Sequence, residues 1–198
     1  MTLVLVTPPA VEPVDAIECC YRLRIDADAA EEADVAAMIQ SARQEIDGAM
    51  GWLGRALLTQ TWDLQLDVFP CGPIMVPLPP LQSVASVKYL DQDGAEQTLS
   101  PSVYRVVSGG DRPSSIELAY GQTWPATRAI SAAVTVRFVA GWTAPSLVPA
   151  PIRTWIMARV GGLYAQREDL VLTGQQVTIA PNLEHMLAPY RVGWFGSP

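Results

Sequence analysis

The residues able to do chemistry are few and badly spaced for it. Asp91-Gln92-Asp93-Gly94 opens like a calcium loop, but its glycine comes two positions early and no glutamate closes the loop. A hairpin turn is the better reading. SGGDRPSS, residues 108–115, has glycines without the lysine and hydroxyl of a phosphate-binding loop. No G-x-S-x-G occurs, and His185 is the single histidine, so a nucleophile–base–acid triad has no frame. Glu168 with Asp169, and Asp63 with Asp67, are paired carboxylates that solvated helix-end and sheet-face positions explain without acid–base catalysis. Cys19, Cys20 and Cys71 form no C-x-x-C, so a zinc site lacks ligands and buried free thiols are expected. The residues imply no enzyme, no cofactor and no metal.

Charge is placed unevenly. The first fifty residues hold ten acids (Glu12, Asp15, Glu18, Asp26, Asp28, Glu31, Glu32, Asp34, Glu45 and Asp47) against Arg22, Arg24 and Arg43, so the whole net charge of −7 sits there. A nucleic-acid binder shows the opposite sign on its working face. Nearly half of the 198 residues are apolar, enough for a real core. No uncharged apolar run reaches the roughly 18–20 residues that span a bilayer. The opening MTLVLVTPP has no basic leader and its apolar run is too short for a signal peptide, so a soluble, intracellularly made protein is expected, with no membrane partner.

Hydrophobic periodicity places the elements. PVDAIECCYRLRI reads as a short helix with Pro13 in its first turn. Asp28 and Glu31 form a capping-box-like pair, and Val35, Met38, Ile39, Ala42, Ile46 and Met50 then recur at helical spacing, predicting a helix over 29–50. In GRALLTQTWDLQLDVFP, residues 54–70, the period changes to two, with Trp62, Leu64, Leu66 and Val68 on one face. A short proline-interrupted edge segment, IMVPL, follows. SVASVKYLDQDGAEQTL predicts a hairpin turning at Asp93-Gly94, and VYRVV, SIELAY and VTVRFVAGW complete about six strands. With no helix between them, the strands form an antiparallel sheet. Ile152, Trp155, Ile156, Val160, Leu163 and Tyr164 then mark an amphipathic helix, with Trp155 expected in the core. Gly161-Gly162 within it suits close packing or a bend, or has no special role. After it comes a tail with one helical turn, Asn182–Leu187.

The expected fold is α+β. It has an acidic helical part (1–58), an inserted antiparallel β-domain (59–142), a helix completing the helical part (143–170) and an extended tail (171–198). Leu183, Met186, Leu187, Tyr190, Trp194 and Phe195 have little chain around them, so the tail either presents a partner surface or folds back on its own domain.

The order of segments resembles the head–tail connector (adaptor, or head-completion) family of long-tailed phages and of phage-like gene transfer agents. The resemblance rests on the acidic helix leading into Gly54-Arg55-Ala56-Leu57, then Leu58-Thr59-Gln60-Thr61-Trp62 and the strand to Phe69-Pro70. It continues through Leu78-Pro79-Pro80-Leu81, Val84-Ala85-Ser86-Val87-Lys88-Tyr89, Trp124-Pro125, and the run from Val136 to Trp142. The helix from Val148-Pro149 to Leu163-Tyr164 and the tail residues Leu187-Ala188-Pro189-Tyr190-Arg191 complete it. The family implies a homo-oligomeric, twelvefold ring beneath the portal in the neck of a virion or phage-like particle, assembled in the bacterial cytoplasm. The ring contacts the portal and a tail-side stopper or tail-terminator protein, and DNA passes through without specific binding. On that reading Leu183, Met186, Leu187, Tyr190, Arg191, Trp194 and Phe195 dock onto the portal, and Asp26, Asp28, Glu31, Glu32 and Asp34 line a DNA lumen. The alternatives are a monomeric binding module using the β-domain, and an enzyme with an unfamiliar site.

Overall fold

The computed structural model describes residues 1–25, 28–165 and 182–193. The fold is α+β. The helices are α1 (Ala16–Leu23), α2 (Ala29–Ile46), α3 (Ala150–Ala165) and α4 (Asn182–Leu187). The strands are β1 (Thr2–Thr7), β2 (Gln60–Leu66), β3 (Ile74–Val76), β4 (Leu81–Leu90), β5 (Glu96–Thr98), β6 (Tyr104–Val107), β7 (Ser114–Leu118) and β8 (Val134–Ala140).

The starts of α1 and α2 have a local cause. Asp15 Oδ1 accepts the Glu18 N–H at 3.1 Å, and Asp28 Oδ1 accepts those of Ala30 and Glu31 at 3.0 and 2.9 Å, satisfying amides that the first turn leaves unpaired. α2 stops at Ile46, earlier than the predicted residue 50. Asp47 takes an extended conformation, and its carboxylate turns inward to accept the Leu57 N–H. Met50, expected on the buried stripe, is 97% exposed as a result.

The expected single sheet of about six strands is instead two antiparallel sheets, ordered β1-β2-β8-β4-β5 and β3-β7-β6. Asp67 and Val68, near the end of the predicted first strand, leave it, so Val68 is exposed and does not join the buried face. The unforeseen member is β1, which pairs antiparallel with β2 from Thr2↔Gln65 to Leu5↔Trp62. Its TLVLVT lacks a polar–apolar alternation because both of its faces remain largely open. β4 and β5 form the predicted hairpin, with the Asp91 carboxylate accepting the Ala95 N–H at 2.9 Å across the turn.

Two buried clusters result. One joins α1, α2 and α3 through Cys19, Cys20, Val35, Ile39, Ile152 and Ile156, with Leu53, Leu57, Leu58 and Leu187 added from loops and tail. The other fills the sheets with Trp62, Leu64, Ile74, Val87, Ile116, Val136 and Phe138. Close packing is the role of Gly161, where a Cβ would stand 3.1 Å from Leu23 of α1; Gly162 faces nothing within 4 Å. Trp155 packs against the helical cluster only half-buried, since one side of its ring lines a surface cleft. Cys71 departs from the expectation of buried thiols. It sits exposed in the Pro70–Pro73 break before β3, whereas Cys19 and Cys20 are buried.

Candidate interface surfaces

Of the residues weighed above for chemistry, Asp63 and Asp67 are engaged structurally. Asp63 receives both Arg137 Nε and Nη2, at 2.8 and 2.7 Å, from the strand opposite. Asp67 Oδ1 accepts the Ala132 N–H at 2.8 Å, and His185 is exposed in the last turn of α4. Glu168 and Asp169 lie outside the described residues. Among the described residues no three His, Cys, Asp or Glu side chains are grouped to hold a metal ion. No helix among them is long and apolar enough to cross a membrane.

A buried polar chain ties the helices to the sheet. Arg43 Nε donates to Glu12 Oε2 at 2.7 Å, and its Nη1 donates to Asp47 Oδ2 at 2.8 Å. Gln60 Nε2 donates to Asp47 Oδ1 at 2.9 Å, and Trp62 Nε1 donates to Gln60 Oε1 at 3.1 Å. Burial pushes the Asp47 carboxyl above its ordinary value, against the Leu57 N–H and Arg43, which favour the charged form. Every polar atom of Asp47 therefore has a partner, which is what makes a buried charge tolerable.

The C-terminal segment returns to its own subunit. Leu187 is 2% exposed in the helical cluster, and Tyr190 packs at its margin. The Val192 N–H donates to the Leu53 carbonyl at 2.8 Å, and Arg55 Nε donates to the Tyr190 carbonyl at 2.7 Å. The Arg191 guanidinium lies 4.8 Å above the centre of the Trp52 ring. Gly54 permits this approach. Its φ is +64°, and a Cβ there would meet the Val192 carbonyl oxygen at 2.5 Å. Of the expected docking residues, Leu187 is thus buried inside its own subunit, Met186 and Tyr190 are half-buried, and Arg191 is exposed on one side. Leu183 belongs to α4; its side chain, and the whole of Trp194 and Phe195, lie outside the described residues.

The acids of the proposed lumen are not one uniform face. Asp28 is the cap of α2, and the Tyr164 hydroxyl donates to Glu31 at 3.3 Å. Glu32 is half-buried and Asp34 exposed, while Asp26 lies outside the described residues. Sequence reasoning missed two surfaces. One is the Trp52–Arg55 bed for the tail, whose only signal is the glycine pair Gly51 and Gly54 around a tryptophan. The other is β1, whose signal is its Leu and Val content rather than any period.

This architecture is one found among virion subunits. It is similar, end to end, to chains in three solved structures of gene transfer agent particles. In the neck of an empty particle computed with C6 symmetry, the TM-score is 0.78 at 21% identity, with all of both chains covered. In the virion of a native particle it is 0.77 at 20% identity, covering 100% of this chain and 99% of the other. In the neck of a native particle computed with C12 symmetry it is 0.67 at 20% identity, again over all of both chains. At such identities the likeness is one of fold. No family model matches the chain, and no curated protein does.

Proposed function

We propose that this protein is a structural head–tail connector in the neck of a phage-like particle. It forms a ring, twelvefold like the portal above it, joins capsid to tail through a tail-side stopper or terminator, and surrounds the DNA path. It works by matched interfaces and makes or breaks no bond. The observation that carries this reading is the full-length similarity of fold to neck chains of gene transfer agent particles, in necks computed with cyclic symmetry.

In this reading the portal-facing surface is formed by the C-terminal segment, with Leu183, Met186, Tyr190, Arg191, Trp194 and Phe195 as its docking residues and Leu187 anchoring the segment from within. Closing a ring multiplies a modest contact per subunit through avidity. Asp28, Glu31, Glu32 and Asp34, with Asp26, give the DNA path a negative wall that repels phosphates, an effect screened beyond about 8–10 Å.

Imaging the neck of particles that carry a tagged copy tests the location: density at the portal–tail junction is expected. Deleting the protein should give DNA-filled heads without tails, and normal tailed particles would refute the proposal. Leu187 belongs to the core, so truncation after Ala180 would disturb folding together with docking. The cleaner variant combines Arg191→Glu with Trp194→Ala and Phe195→Ala; tailless heads are expected, with the variant subunit still folded.

A further inference from the structure

A sheet edge offers unpaired N–H and C=O groups, and proteins that stay apart blunt such edges with charge, proline, bulges or shortness. Among the described residues this subunit blunts three. β5 has three residues, Glu96, Gln97 and Thr98, all polar and all exposed, so it offers no apolar seam. β3 also has three, enclosed by Pro73 and Pro77. The stretch of β4 that β5 leaves uncovered carries two irregularities, between Leu81 and Ser83 and between Val84 and Ser86, which break its regular edge.

The other two edges carry no such protection. β1 has no charged side chain, and the first in the chain is Glu12. Its stretch Thr2–Leu5 pairs regularly with β2 before a shift at Val6. Val4, Leu5 and Val6 are 41%, 44% and 41% exposed. β6 is a four-residue edge in perfect register with β7, and its Val106 and Val107 are exposed. Its one charge, Arg105, is neutralised by Glu117 on the inner neighbour, at 2.6 Å. The two open edges are therefore matched in regular length and in apolar character. They end different sheets, so they lie on different edges of one chain.

We propose that β1 of one copy adds as a strand to the outer edge of β6 in the next copy. A contact between two different edges of the same chain is heterologous, and repeating it head to tail closes a ring when the rotation allows. Backbone hydrogen bonds supply the link, and Val4, Leu5, Val106 and Val107 bury each other at the seam. The inference deepens the neck reading and rests on it, because that reading requires neighbouring copies in contact.

The test uses particles bearing one cysteine in each edge, in a Cys71→Ser background: Val4→Cys or Leu5→Cys combined with Val106→Cys or Val107→Cys. Four pairs are needed because a disulfide forms only when the Cβ atoms stand about 3.5–4.5 Å apart. On mild oxidation at least one pair should give a ladder of bands beyond the dimer, with neither single cysteine doing so. A ladder that stops at dimer, or a dimer from the β1 cysteine alone, would show β1 meeting its own counterpart and overturn the proposal. No ladder from any pair, while imaging still places the protein as a neck ring, would overturn it and leave the neck reading intact. Absence from the neck would instead overturn that reading. A second variant, Val4→Lys with Val6→Lys, alters only exposed side chains, so the lone subunit should melt at an unchanged temperature. Incorporation into particles should be lost, and normal incorporation would overturn the proposal.

Discussion

Leu187→Ala decides whether the C-terminal segment is part of the subunit's core. Leu187 is 2% exposed among the residues of the helical cluster. Buried leucine-to-alanine changes destabilise by about 2–5 kcal/mol, the spread reflecting how well each site collapses. Here the lower half applies. Leu187 also lines a cleft of about 220 Å3 with Glu45, Ile46, Trp52 and Trp155, so the space left behind opens to solvent and does not become a sealed void. The transfer term, at roughly 0.8 kcal/mol for each of three lost carbons, gives about 2–3 kcal/mol. For a chain of this size each kcal/mol shifts the midpoint by about 2–4 °C, so a fall of roughly 5–10 °C is expected. Thermal denaturation followed by circular dichroism measures it. An unchanged melting temperature would refute the reasoning, because a segment that detaches before the core unfolds contributes nothing to global stability.

Gly54→Ala places a Cβ 2.5 Å from the Val192 carbonyl at a φ of +64°, so amide exchange over 188–193 should quicken; unchanged exchange would show the segment is held otherwise. Asp47→Ala leaves Arg43 Nη1, the Leu57 N–H and Gln60 Nε2 without their carboxylate in a buried site, while Glu12 still pairs with Arg43 Nε, and urea denaturation should report a loss of about 3 kcal/mol. Burial, with Cys20 and Glu18 adding, pushes the Cys19 thiol up to about 11, and burial raises Cys20 too. Iodoacetamide at pH 8 should therefore label Cys71 in the native protein and all three cysteines only after unfolding, as read by mass spectrometry. Hydrogen bonds from Gln97 and the Ala95 N–H hold the Asp91 carboxyl below its ordinary 3.8. Its support of the β4–β5 turn is full above that ordinary value and is lost as pH falls through the lower folded one, which an NMR titration of Asp91 would show.

The elements with a strong period were legible. Val35, Ile39, Ala42 and Ile46 recur at helical spacing and all are buried, and Trp62 and Leu64 alternate into the sheet core. The Asn182–Leu187 turn and the Asp93-Gly94 hairpin followed from local chemistry that needs no distant partner. What escaped depends on tertiary pairing. β1 is a strand because β2 offers it an edge, and nothing in TLVLVT announces that. The division into two sheets is set by which strands meet across the chain, as β2 with β8 over some seventy residues. Asp47 ends α2 through a bond to Leu57, a partner invisible to any helical wheel. The tail's hydrophobic residues stood out by composition, but composition does not say whose surface covers them; Leu187 is covered within its own subunit.

The same lesson bears on the acidic N-terminal fifth. Its charge excess invites a single explanation, a wall that repels DNA, yet most of its acids have work within the subunit. Asp15 and Asp28 cap helices, and the Tyr164 hydroxyl donates to Glu31. Glu12 and Asp47 grip Arg43, while Glu18 and Glu45 pair with Arg153 and Arg159 of α3. Seven of the ten acids are thereby engaged within the subunit, by capping, by the pairs with Arg43 or by contacts to α3. Part of the imbalance along the chain is thus complementarity in space, with Glu18 and Glu45 drawn to the late arginines Arg153 and Arg159 by the fold. Among the described residues, Glu32 and Asp34 are the members of that group whose side chains make no hydrogen bond or ion pair to another residue. In the proposed negative wall, Glu32 and Asp34 would be the members whose side-chain charge no partner among the described residues offsets. Neutralising Glu18 or Glu45 would instead test the seam between α3 and its neighbours.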